Sequence, residues 1–114
     1  MFVLFSNLKK KLRMKKILMI VTSHEDMENT GSKTGLWLGE FTEPYYIFKE
    51  NGYEVDIASP SGEKTPIDPL SLLTKNITPS NRKFNNDSVV RKALESPKKL
   101  RDIDVQDYDA LFFP

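Results

Sequence analysis

The 114-residue sequence contains no cysteine and a single histidine, His24. The first absence excludes disulfides, thiolate metal sites and a thiol nucleophile supplied by these residues. The second argues against a protein-built zinc site, which draws on Cys and His ligands. Carboxylates do not cluster at the spacing of a metal loop, so no metal is expected. Charge of one sign is scarce too, since 17 Lys and Arg against 16 Asp and Glu leave a net +1. Without a basic field, no nucleic-acid partner is expected. No apolar run approaches the roughly 20 residues of a membrane-spanning helix, so no membrane partner is expected either. Internal repeats and low-complexity tracts are also missing.

A secretory leader places basic residues ahead of an apolar stretch. Here the order is reversed, with Phe2 to Phe5 preceding a Lys/Arg cluster. An interfacial anchor would fit that order. The plainer reading is an extension over residues 1–14 that lies outside the fold, followed by one domain over 15–114 in a cytoplasmic protein.

Lys16 to Thr22 is a continuous apolar run rather than an alternating one. Such a run suits a central parallel strand covered on both faces. A polar loop over 23–35 leads to a predicted helix over 35–51, capped by Thr34 and stopped by Gly52. Trp37, Phe41, Tyr45 and Phe48 recur at helical spacing and are its expected core face. Tyr53 to Ala58 reads as a second strand. Strand, helix and strand in succession make a right-handed βαβ unit with a parallel pair. The segment 59–86 holds Pro60, Pro66, Pro69 and Pro79 without a clear period and reads as a packed or functional excursion. A short helix is predicted from Asp87 or Ser88 to Glu95, closed by Pro97. Ala110 to Phe113 forms a third strand ending at Pro114. With no helix to cover that strand, Leu111, Phe112 and Phe113 are expected to be partly exposed. The whole reads as an open α/β sheet of three strands, the first half of a domain.

Glu40 is the candidate functional residue. It follows the loop that leaves the first strand, and ligands of open parallel sheets bind beyond the carboxyl ends of the strands. Pro44 has no N–H for the Glu40 carbonyl, which loosens the helix one turn later. A carboxylate near a helix N-terminus, over an apolar face, suits proton transfer. The plain alternative is a first-turn glutamate that complements the helix dipole and does nothing more. Glu43 and Glu50 read as solvated. His24 reads as an exposed polar residue rather than a ligand or base.

Three motifs carry a family resemblance: Thr34-Gly35-Leu36-Trp37 with Glu40 and Pro44; NGYEVDIASPSG over 51–62; and Ile67-Asp68-Pro69 with Ser71. Together with the closing DYDALFFP, they resemble the ThiJ/PfpI superfamily over residues 16–114. The resemblance is closest to its heat-shock-protein-31-like glyoxalase III branch, also labelled type 1 glutamine amidotransferase-like. It implies a flavodoxin-like parallel sheet sandwich, here truncated after the third strand, so that 15–114 is the N-terminal half of such a domain. It also implies a Cys nucleophile on a sharp strand-to-helix turn and a glutamate from the first helix close to the thiol. Glu40 matches that glutamate.

The implied chemistry needs no cofactor. A thiolate adds to the aldehyde of an α-oxoaldehyde such as methylglyoxal, and the glutamate shuttles a proton between adjacent carbons. Hydrolysis then releases a hydroxy acid such as lactate. Deglycation and a holding chaperone activity are also associated with relatives, which are frequently dimers. This sequence departs from the pattern in lacking the Cys and the Gly-Gly-His-Gly turn expected after DYDALFFP. The expectation is an N-terminal fragment of a glutathione-independent glyoxalase, inactive alone. Its competitor is a non-enzymatic chaperone or interaction module of the same superfamily.

Overall fold

The structure, a computed structural model, describes residues 2–5, 15–27 and 31–114. The Lys/Arg cluster weighed above as part of an interfacial anchor lies outside the described residues. In chain order the elements are strand β1 (Phe2–Phe5), strand β2 (Lys16–Ile20), and strands β3 (Asp26–Met27) and β4 (Ser32–Lys33). Helix α1 (Leu38–Glu50), strand β5 (Glu54–Ser59), and helices α2 (Pro79–Asn85) and α3 (Ser88–Glu95) follow. Strands β6 (Lys98–Lys99) and β7 (Ala110–Phe113) complete the series. No helix among the described residues is long and apolar enough to cross a membrane.

The apolar run of β2 occupies the middle of a sheet ordered β1-β7-β2-β5-β6. Strands β7, β2, β5 and β6 run parallel, the α/β arrangement expected of a flavodoxin-like fold. Within this sheet two additions go beyond the three strands read from sequence. Strand β6 pairs only Lys98 and Lys99 with the end of β5, and two lysines carry no apolar pattern to announce it. Strand β1, within the stretch read as an extension, runs antiparallel along β7.

Alternation along the strands divides the interior in two. Ile17, Met19, Ile57 and Phe112 face the helices and join Phe41, Tyr45, Tyr46, Val90 and Leu94 in the main core. Leu18 and Ala58 point to the opposite face, where Tyr108, Leu100 and Ile103 close over them. Both faces of β2 are therefore buried. The expectation that Phe112 stays partly exposed is corrected: it is 5% exposed, because Phe48 of α1 packs edge-on against it at 5.3 Å. Leu111 and Phe113 are half-buried.

Helix α1 ends as its sequence predicts. Gly52 adopts φ +82°, its N–H bonds to Lys49 O at 3.1 Å, and Tyr53 N–H bonds to Phe48 O at 3.0 Å. This is a Schellman stop, with Phe48 and Tyr53 supplying its usual apolar contact. The start differs, because the helix begins at Leu38 and Trp37 rather than Thr34 is its cap. Residues 34–36 are diverted into backbone pairing with the distant segment 66–68. Leu36 N–H bonds to Pro66 O at 2.8 Å, and Asp68 N–H to Leu36 O at 2.9 Å. Gly35 permits this approach, since a Cβ there would lie 2.5 Å from the Pro66 carbonyl oxygen.

The segment 59–86 is built from short capped pieces. Asp68 caps a 3-10 turn over Pro69–Leu72, and Thr78 caps α2 with Pro79 at its first position. The two helices that follow α1 are then tied to it by side chains. Buried Thr42 donates to Asn81 of α2 at 2.6 Å. Tyr46 donates to Asp87, the cap of α3, at 3.0 Å.

Candidate active site

The chain leaves β2 through α1 to reach β5 on one side, while β7 lies on the other side of β2. The strand order therefore reverses between β2 and β7, and the crevice beyond such a point is where open α/β sheets bind ligands. A cavity of about 280 Å³ opens there. Thr22 and His24 reach it from the end of β2, and Pro114 from the end of β7. Its remaining wall is the approach to α1, residues 34–37, together with Glu40 in the first turn of the helix.

Local bonds fix these walls. The His24 N–H bonds to Thr22 Oγ1 at 3.0 Å, turning the chain just past β2. Ser61, beyond β5, donates both its N–H and its hydroxyl to Ser23 Oγ at 3.0 Å. Strands β3 and β4 form a small antiparallel pair, clamped by Lys33 Nζ on Asp26 Oδ1 at 2.7 Å. That bond and the charge of Lys33 hold the Asp26 carboxyl below its usual range. Thr34 N–H then bonds to Glu25 O at 2.7 Å, so the hairpin delivers Thr34 and Gly35 to the cavity.

Glu40 is the third residue of α1, its N–H bonded to Trp37 O at 3.0 Å. Trp37 caps the helix in an extended conformation without a side-chain bond. Glu40 thus stands in the first turn of the helix, at the positive end of its dipole. Glu40 is exposed, and it also borders a second cavity of about 210 Å³ shared with Trp37, Glu43, Pro44 and Asn76. Helix α1 continues through Pro44 to Glu50. A solvent-reaching carboxylate between two cavities can exchange protons with a bound molecule and with water.

Of the residues singled out in the sequence, Phe41 and Tyr45 are core and Phe48 is partly buried against it. Trp37 is half-buried at the cavity instead of in the core, because it is the cap of the helix and not a member of its interior. Glu43 and Glu50 are exposed, Glu50 facing Lys83 at 3.6 Å. His24 is exposed, yet it lines the same cavity as Glu40. Thr34 was singled out as a helix cap and as part of the first motif, not as a cavity residue; Thr22 was not singled out, and its available signal was its place at the carboxyl end of the first strand.

No family profile matches the chain. Among curated proteins it is 32% identical over 102 residues to glyoxalase 3 of Candida albicans, covering 87% of this chain and 43% of the relative. It is also 32% identical over 101 residues to the glutathione-independent glyoxalase HSP31 of Saccharomyces cerevisiae, covering 86% and 42%. The chain therefore spans less than half the length of these relatives. Among solved structures, it matches the 24 kDa Rapid Encystment Protein of Francisella tularensis at 40% identity and a TM-score of 0.79, over 88% of this chain and 44% of that one. It matches Candida albicans glyoxalase III at 32% identity and a TM-score of 0.73, over 84% and 41%. With both its sequence and its fold shared along most of its length, the chain belongs to the ThiJ/PfpI superfamily, in the branch of glyoxalase III and HSP31-like proteins.

Proposed function

We propose that the cavity between the ends of β2 and β7 is the acid/base half of a glyoxalase III-type site, with Glu40 as its proton-transfer residue. The observation that carries this reading is the position of Glu40 on the wall of that cavity, at the reversal of strand order. The substrate class is a small α-oxoaldehyde such as methylglyoxal. A thiolate from outside this chain adds to the aldehyde carbon, giving a hemithioacetal. Glu40 takes the proton from that carbon and returns it to the neighbouring one, leaving a thioester of the hydroxy acid. Water then cleaves the thioester, releasing the acid and the thiol. The reducing cytoplasm, where such a thiol stays free, is the setting that suits this chemistry.

Because the sequence holds no cysteine, the chain alone is inactive in this account. Incubation of the purified chain with methylglyoxal, without glutathione, is expected to yield no lactate above background. Lactate formed by the chain alone would overturn the assignment of the nucleophile to residues outside it.

One observation favours a second reading, a non-enzymatic interaction module. Leu70, Leu72 and Leu73 are 58%, 52% and 45% exposed on neighbouring turns of the excursion after β5. If they hold unfolded clients, the chain suppresses aggregation of a test protein, and replacing all three with Ser abolishes the effect.

A further inference from the structure

A third cavity, sharing no lining residue with either cavity that Glu40 borders, lies on the helical side of the sheet. Its volume is about 170 Å³, and it is an open depression lined by Lys64, Thr65 and Ile67 and by residues of α2 and α3. The floor is apolar, made by Ile67, Phe84 and Leu94, all joined to the main core. The rim carries two cations, Lys64 and Arg91, and one carboxylate, Glu95. Among the described residues neither cation is paired with a carboxylate.

Thr65 stands between floor and rim. It is 3% exposed, and its N–H is held by Leu94 O at 2.8 Å. Its Oγ1 is enclosed without a hydrogen-bond partner. A buried hydroxyl left unpaired is unfavourable, and such groups in folded proteins normally have a partner.

These features specify a ligand. Two unpaired cations over an apolar floor complement an anion that carries an apolar body. Glu95 leaves the rim with one net positive charge, which suits a monoanion better than a dianion. The volume sets the size of the body, since an apolar cavity of about 150 Å³ accommodates benzene. We infer that this cavity binds a small monocarboxylate whose body is one ring or a branched alkyl group. The carboxylate lies between Lys64 and Arg91 and accepts from Thr65 once its enclosed hydroxyl turns into the cavity, and the body rests on Ile67, Phe84 and Leu94.

Benzoate is the probe. Titrated into the full-length ¹⁵N-labelled chain, it is expected to shift the amide resonances of Thr65, Ile67, Arg91 and Leu94 saturably, at millimolar concentration. Benzyl alcohol, which lacks the charge, and acetate, which lacks the body, should each bind at least about tenfold more weakly, the order of one charge-assisted contact. Arg91 and Lys64 are exposed, so R91Q and K64Q leave the fold intact, and each should weaken benzoate about tenfold. T65V removes the hydroxyl at nearly constant volume and should weaken it as well; if T65V fails to fold, the two surface variants decide. Absence of saturable shifts at these amides overturns the inference. So does equal affinity of wild type, R91Q and K64Q for benzoate, or acetate binding as tightly as benzoate.

Discussion

Tyr108 donates its phenolic hydrogen to Asp56 Oδ2 at 2.7 Å, joining the lead-in of β7 to β5 across the face of β2. The strand that borders the Glu40 cavity is thereby fixed to a strand it does not pair with. Asp56 also accepts from Lys98 Nζ at 3.2 Å, so β6 is tied to the same carboxylate. Burial by itself would raise the Asp56 carboxyl, but the bonds from Tyr108 and Lys98 outweigh it and hold the group below its usual range. A hydrogen bond to a charged group is worth about 1.5–3 kcal/mol, and Tyr108→Phe should lower unfolding stability by about that much in urea titrations. The sign with pH follows from the lowered value. The contribution of Asp56 is complete above about pH 4 and is lost as pH falls through its folded-state value. The acid limb of stability should therefore be shallower in Asp56→Asn; an unchanged limb contradicts the assignment.

At the other end of the pH scale two phenols dominate. Burial, and then the bonded carboxylates Asp87 and Asp56, push the Tyr46 and Tyr108 hydroxyls well above the usual tyrosine range. A raised value means that the neutral phenol is favoured in the fold. Its contribution is complete below about pH 10 and declines as pH rises beyond it. Denaturation midpoints measured from pH 9 to 12 should fall, and Tyr46→Phe should flatten that fall. The same slope in wild type and variant would show that Tyr46 does not titrate with unfolding.

Gly35 is the backbone requirement of the site. A methyl group there would meet Pro66 O at 2.5 Å and Pro66 C at 2.7 Å, both main-chain atoms that cannot swing away. Gly35→Ala should destabilise the chain by about 1–3 kcal/mol, the usual cost of overpacking. It should also release the Leu36–Ile67 bridge, visible as faster hydrogen exchange at the Leu36 and Asp68 amides. Unchanged exchange at both would contradict the close approach.

The sequence foretold some of these features and concealed others, for physical reasons. Gly52 and Asp87 act within one turn of their own position, so the stop of α1 and the start of α3 were legible. The start of α1 was not, because Leu36 pairs with Ile67 some 30 residues away and no local signal records it. Helix α2 was legible in principle, since Thr78-Pro79 is a cap followed by a first-turn proline. It was overlooked because its seven residues bury only Asn81, a polar side chain, and show no apolar period. Glu40 could be singled out from its place near a helix start after the first strand. That His24 borders the same cavity depends on the turn bonded to Thr22 and on the hairpin, which the polar loop does not announce.

The central claim, that Glu40 moves the proton in an α-oxoaldehyde reaction, is tested most directly in a chimera. Residues 16–114 of this chain would replace the matching stretch of Candida albicans glyoxalase 3, whose remaining part supplies the thiol in this account. Lactate formation from methylglyoxal, measured without glutathione, is compared between the chimera carrying Glu40 and the same chimera carrying Glu40→Gln. General acid–base catalysis contributes about 10²–10⁴-fold, so the glutamine chimera should be slower by at least about 100-fold while folding equally well. Equal rates in the two chimeras would contradict the account.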